Sequence, residues 1–70
     1  MITFSRYANQ KFELLNRHKV YLRQEQIEHA ITQPVKVAKI SLYYHAFGEE
    51  VNVVYHKNGE RITVMTFYPA

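Results

Sequence analysis

The chain of 70 residues contains no cysteine, no aspartate, two glycines and two prolines. Without cysteine, neither a disulfide framework nor a thiolate metal site can form, and the absence accords with a reducing compartment. With only Gly48 and Gly59 in the chain, a glycine-rich phosphate loop or a nucleophile elbow cannot be built. No apolar run approaches the roughly 20 residues of a membrane span, and Met1-Ile2-Thr3-Phe4 carries no signal-peptide core. The expectation is a cytoplasmic protein of one domain, residues 1–70, near the lower size limit for a fold held by a single core.

Nine Lys and Arg against six Glu give a net charge of +3, a mild bias toward polyanions. Five of those bases (Arg6, Lys11, Arg17, Lys19, Arg23) lie between positions 6 and 23 beside one acid, Glu13. Such a run is either a solvated helix face or part of an anion-binding surface.

What the chain does contain is alternation at its end. Glu50 to Tyr68 reads as one β-hairpin, because Asn58-Gly59 between two β-branched runs suits a tight type I′ turn. With Asn58 and Gly59 as the loop, Lys57 faces Glu60, His56 faces Arg61, Tyr55 faces Ile62, Val54 faces Thr63, Val53 faces Val64 and Asn52 faces Met65. Opposed residues share a face. One face then carries Val51, Val53, Tyr55, Ile62 and Val64 as core. The other carries Asn52, Val54, His56, Arg61, Thr63, Met65 and Phe67, a mixture in which function is to be sought.

Upstream, Ile2–Phe4 predicts a short strand, and Ser5 caps a helix to about Arg17 whose Ala8, Phe12 and Leu15 face the sheet. That helix lacks a C-terminal glycine. A second helix from about Arg23 to Thr32 turns Ile27, Ala30 and Ile31 inward and is closed by Pro34, with no standard cap at its start. From Val35 to Phe47 the pattern is again extended, with a break between Val37 and Ile40 that reads as a bulge or as a strand beginning near Lys39. If Gly48-Glu49 is a two-residue turn, Ala46 faces Val51, Tyr44 faces Val53 and Leu42 faces Tyr55 on the core side. His45 then faces Asn52, Tyr43 faces Val54 and Ser41 faces His56 on the other. The fold class is α+β: a short N-terminal strand, two helices, then a three-strand antiparallel meander with the helices packed on one sheet face.

Several stretches carry a family likeness: Phe4-Ser5-Arg6-Tyr7-Ala8, Gln26 to Pro34 with Val37, Val53-Val54-Tyr55, and Thr63 to Pro69. In this order they resemble the RelE/ParE-like toxin superfamily, and within it a branch of short domains of unknown function. The resemblance covers most of the chain. It implies a metal-independent ribonuclease or RNA-binding domain of a toxin–antitoxin system, without cofactor, with RNA and an antitoxin-like protein as partners. Relatives often carry His where this chain has Tyr7, and a basic residue where it has Asn52. Those departures keep open the alternative of a catalytically inactive protein-binding or dimerisation module of the same fold.

Cleavage by such toxins uses the RNA 2′-hydroxyl as nucleophile, so the protein must remove its proton, balance charge on the phosphorane and protonate the leaving oxygen. Candidates for those roles are Arg61, His56, His45, Tyr68, Lys11 and Tyr7. Tyr43, Asn52, Arg6 and Arg17 are candidates for holding RNA, whereas Val54, Met65 and Phe67 would form a partner or homodimer interface through a Tyr43-Val54-Met65 row. An open face that is merely polar for solubility is the competing reading. In the expected register His45 and His56 stand about 13 Å apart along the strands, too far to share an ion. With neither Cys nor Asp available, no metal site is expected.

Overall fold

The computed structural model describes all residues, Met1–Ala70. The elements run β1 (Ile2–Phe4), α1 (Arg6–Arg17), α2 (Gln24–Thr32), β2 (Lys36–Ile40), β3 (Tyr43–Phe47), β4 (Val51–Asn58) and β5 (Arg61–Pro69). They form one five-stranded mixed sheet in the order β1-β5-β4-β3-β2, in which β1 lies parallel to β5 and every other pair is antiparallel. Both helices lie on one side, α1 over β5 and β1, α2 over β4 and β3. The fold is α+β as expected, but the sheet after the helices has four strands rather than three.

The extra strand comes from Val35–Phe47, which is not one strand but a hairpin turning at Ser41-Leu42. Ser41 adopts a φ of +58°, the positive value that the first position of a tight hairpin turn requires. Without glycine there, no turn signal marked it. The apparent break in alternation between Val37 and Ile40 was the approach to that turn. Leu42, expected opposite Tyr55 in the core, sits in the turn and is 67% exposed.

Both expected hairpin registers are displaced. In β4–β5 the two loop residues are Gly59 and Glu60, so Asn58 pairs with Arg61, Lys57 with Ile62, His56 with Thr63 and Tyr55 with Val64. Only Gly59, the first loop residue, has positive φ, the pattern of a II′ rather than an I′ turn. In β3–β4 the connection is longer, so Phe47 pairs with Asn52, Ala46 with Val53, Tyr44 with Tyr55 and Tyr43 with His56. Each displacement moves both strands by one residue. Partners change, yet every side chain keeps its face.

One feature does reverse faces. Between Val54 and Tyr55 the register shifts, and Met65 is the extra residue on β5, so Val54 pairs with Thr66 and Val53 with Phe67. The bulge turns Phe67, expected at a partner interface, into the core, where it is fully buried. It contacts Phe12 at 4.5 Å between ring centroids, and Phe12 meets Phe4 at 5.6 Å. Ala8, Ile27, Ala30, Ile31, Ala46, Val51, Val53, Tyr55 and Val64 complete the core, and these nine were expected there.

The helix ends follow from local chemistry. Ser5 Oγ accepts from the Ala8 N–H at 3.1 Å and donates to the Met65 carbonyl at 3.2 Å, so one hydroxyl caps α1 and ties it to the bulge. At the other end Val20 N–H donates to Leu15 O and Lys19 N–H to Asn16 O. This is a Schellman arrangement with Lys19, φ +61°, in the place glycine usually takes. The start of α2, which lacks a standard cap, uses Gln26 instead: its Oε1 accepts from the Arg23 N–H at 2.7 Å.

Candidate nucleic-acid interface

The helices cover one face of the sheet and leave the other bare. On that bare face the observed register aligns side chains in three rows running across the strands. The first holds Lys36, Phe47, Asn52 and Tyr68; the second Ala38, His45, Val54 and Thr66; the third Ile40, Tyr43, His56, Thr63 and Thr3. Arg61 and Asn58 pair one step beyond the third row, at the hairpin tip. No carboxylate falls in any row. Glu49 and Glu50, in the β3–β4 loop, instead line a hollow beside α2, where Gln26 Nε2 donates to Glu50.

Lys11 joins this face from the helix side. Because β1 pairs only with Ile62–Val64, no strand flanks the outer edge of β5 beyond that point. Lys11 crosses there from α1, and its Nζ donates to Thr66 Oγ1 at 3.2 Å and lies 5.9 Å from the Tyr68 ring centroid. The half-buried ammonium thus stands at the end of the first two rows.

The expected sites are redistributed as follows. Lys11, Tyr68 and Asn52 come together at one end of the bare face. His45 and His56, expected about four residues out of step, are two out of step, since His45 pairs with Val54. They are therefore diagonal neighbours at about 7–8 Å between backbones. Arg61, expected opposite His56, pairs with Asn58 and is a diagonal neighbour of His56 instead. Tyr43 pairs with His56 itself, their rings 6.2 Å apart and tilted edge-on. The expected Tyr43-Val54-Met65 row does not exist: Val54 lies between His45 and Thr66, and Met65 is the half-buried bulge residue.

Arg61 and Tyr68 lie seven residues apart on β5, about 20 Å or more, so no single phosphate touches both. Tyr7 and Arg17 line a shallow hollow of about 470 Å³ on the outer side of α1 with Gln10, Lys11, Glu13 and Leu14. Arg17 is engaged there by Glu13 at 2.9 Å, an exposed pair. Arg6, at the start of α1, lies eleven residues from Arg17, about 16 Å along the helix.

Sequence reasoning missed Lys36 and Phe47, which belong to the first row. The β2–β3 turn that brings Lys36 there had no glycine, proline or asparagine to announce it, and Phe47 meets Asn52 through the β3–β4 connection, longer than the two-residue turn expected. Nowhere do three or more His or Glu side chains converge as a metal site would require, and no helix is long and apolar enough to cross a membrane. No family model matches the chain, and neither a curated protein nor a solved structure matches it.

Proposed function

We propose that this chain is a RelE/ParE-like, toxin-type domain that binds single-stranded RNA on the bare face of its sheet and cleaves it without metal. The observation that carries this reading is the diagonal His45–His56–Arg61 on a face free of carboxylates. A phosphate held between His45 and His56 would have an imidazole on either side of the scissile bond. One, neutral, takes the 2′-hydroxyl proton; the other, protonated, supplies the leaving oxygen with one. Arg61, at the next diagonal position, offsets charge developing on the phosphorane. Aromatic and basic side chains around them supply stacking and phosphate contacts.

The test is cleavage of a labelled single-stranded RNA in EDTA, with the 2′,3′-cyclic phosphate as the diagnostic product. His56→Gln and His45→Gln should each slow cleavage by about 100-fold or more with unchanged circular dichroism, and induced expression should arrest growth only for the active protein. Absence of cleavage and of growth arrest at confirmed soluble expression would sink the nuclease reading.

A second reading, a binding module of the same fold, draws on β2. This edge strand has no helix over it, and Val37, Ile40 (58% exposed) and Leu42 are left in the open. If that reading holds, Ile40→Glu shifts the sedimentation behaviour of the protein while His56→Gln does nothing.

A further inference from the structure

Resting on the reading that the bare face takes RNA, we propose that its first row is a three-nucleotide track running across the strands, with Asn52 selecting adenine at the middle position. The row reads, in space, Lys36 on β2, Phe47 on β3, Asn52 on β4, Tyr68 on β5 and then Lys11 from α1. Two aromatic rings flank one amide, and a lysine stands at each end.

Phe47 and Tyr68 are two strand spacings apart, about 10 Å, which leaves one strand's width between the bases they would stack. Asn52 occupies that gap. Stacking on an aromatic ring takes any base, since each has a π face, so the outer two positions carry affinity without selectivity. The amide offers one donor group and one acceptor side by side. Adenine presents an adjacent acceptor and donor on both its Watson–Crick and Hoogsteen edges, so it can meet the amide in either orientation. The two lysines, with no carboxylate in the row, supply complementary charge to the phosphates at either end.

Core residues Ala46, Val51, Val53 and Phe67 flank the row members in sequence and are buried on the helix side, so the backbone beneath the track is held rigid. Tyr68 is 39% exposed, with the Lys11 ammonium 5.9 Å from its ring centroid.

The experiment is fluorescence anisotropy with RNA hexamers of uridine carrying A, C, G or U at one central position, together with a salt titration. The wild type should favour the adenine hexamer by roughly tenfold. Asn52→Ala should remove that preference. Phe47→Leu and Tyr68→Leu keep apolar volume but lose the flat ring, and each should weaken binding by about tenfold. Lys11→Gln and Lys36→Gln should each lower the salt slope by about 0.7. Unchanged affinity in both leucine variants, with a wild type that does bind, overturns the track and leaves RNA binding by the face intact. No binding of any hexamer by the wild type overturns both. A change of oligomeric state in Tyr68→Leu, without change in RNA affinity, overturns the track and assigns the row to a protein contact.

Discussion

Phe67 and Tyr68 are neighbours in sequence and belong to different worlds. Phe67 is sealed against Phe12 beneath α1, while Tyr68 opens onto bare sheet beside Lys11. The two faces they represent differ in what limits them. On the helix face each side chain is fixed by close packing, and a lost atom leaves a cavity. On the bare face a side chain has few protein neighbours, and its identity is free to be set by what binds. Packing thus assigns stability to the helix face, and the proposed function assigns recognition to the bare one.

The sharpest way to break that contrast is to exchange large for small on each side. Phe67→Ala should lose about 3–5 kcal/mol, a large part of what a domain this size can hold, and urea denaturation should find it largely unfolded at room temperature. Tyr68→Ala should leave the unfolding free energy within about 1 kcal/mol of the wild type while weakening RNA binding. If the two residues exchanged these effects, the division of labour between faces would be wrong.

A smaller effect is expected where the loop after β3 meets α2. A Cβ on Gly48 would come within 2.7 Å of the Val51 carbonyl and 3.1 Å of the Ala30 side chain, so Gly48→Ala should destabilise by about 1–3 kcal/mol. Its RNA affinity, measured below its unfolding transition, should be that of the wild type.

Smaller still is the gain at Lys19. Its left-handed backbone is strained for a residue with a Cβ, and Lys19→Gly should raise stability by up to about 1 kcal/mol. Thermal melting reads this directly, and a fall in melting temperature would show that the Lys19 side chain contributes more than its conformation costs.

The least effect at neutral pH belongs to Tyr55. Burial, with the stacked Tyr44 phenol 5.3 Å away adding to it, raises its pKa above the ordinary 10.0. The protonated form is therefore favoured in the fold, and its contribution is complete below the unfolded value and lost as pH rises through the folded one. Unfolding measured from pH 8 to 11 should show stability falling above about pH 10, with a shallower fall in Tyr55→Phe.

The Ser5 cap, the inward Ile27, Ala30 and Ile31, and the placement of His45, Asn52, Val54 and His56 away from the helices all follow from local periodicity and appear as expected. The partners of those residues do not. Asn58-Gly59 signalled a turn, but which of the two opens the two-residue loop depends on how β4 and β5 pair along their length, and glycine opens it. Ser41 gave no signal, so a whole strand was hidden. The candidate site changed accordingly: the histidines came within diagonal reach, Arg61 moved one step away, and Lys36 and Phe47 joined.

Sequence alone thus determined which side chains face inward on the helices and along β3, β4 and β5 as far as Val64, because a strand alternates every residue whatever it pairs with, and a displacement of both strands by one preserves that alternation; Leu42 and Phe67, at an unmarked turn and past a bulge, lay outside its reach. Only the tertiary structure decided who stands beside whom. Turn geometry and the bulge at Met65 depend on contacts made after the chain has folded back on itself: Ser5 reaching the Met65 carbonyl, Phe12 drawing Phe67 inward and Lys11 crossing the outer edge of β5.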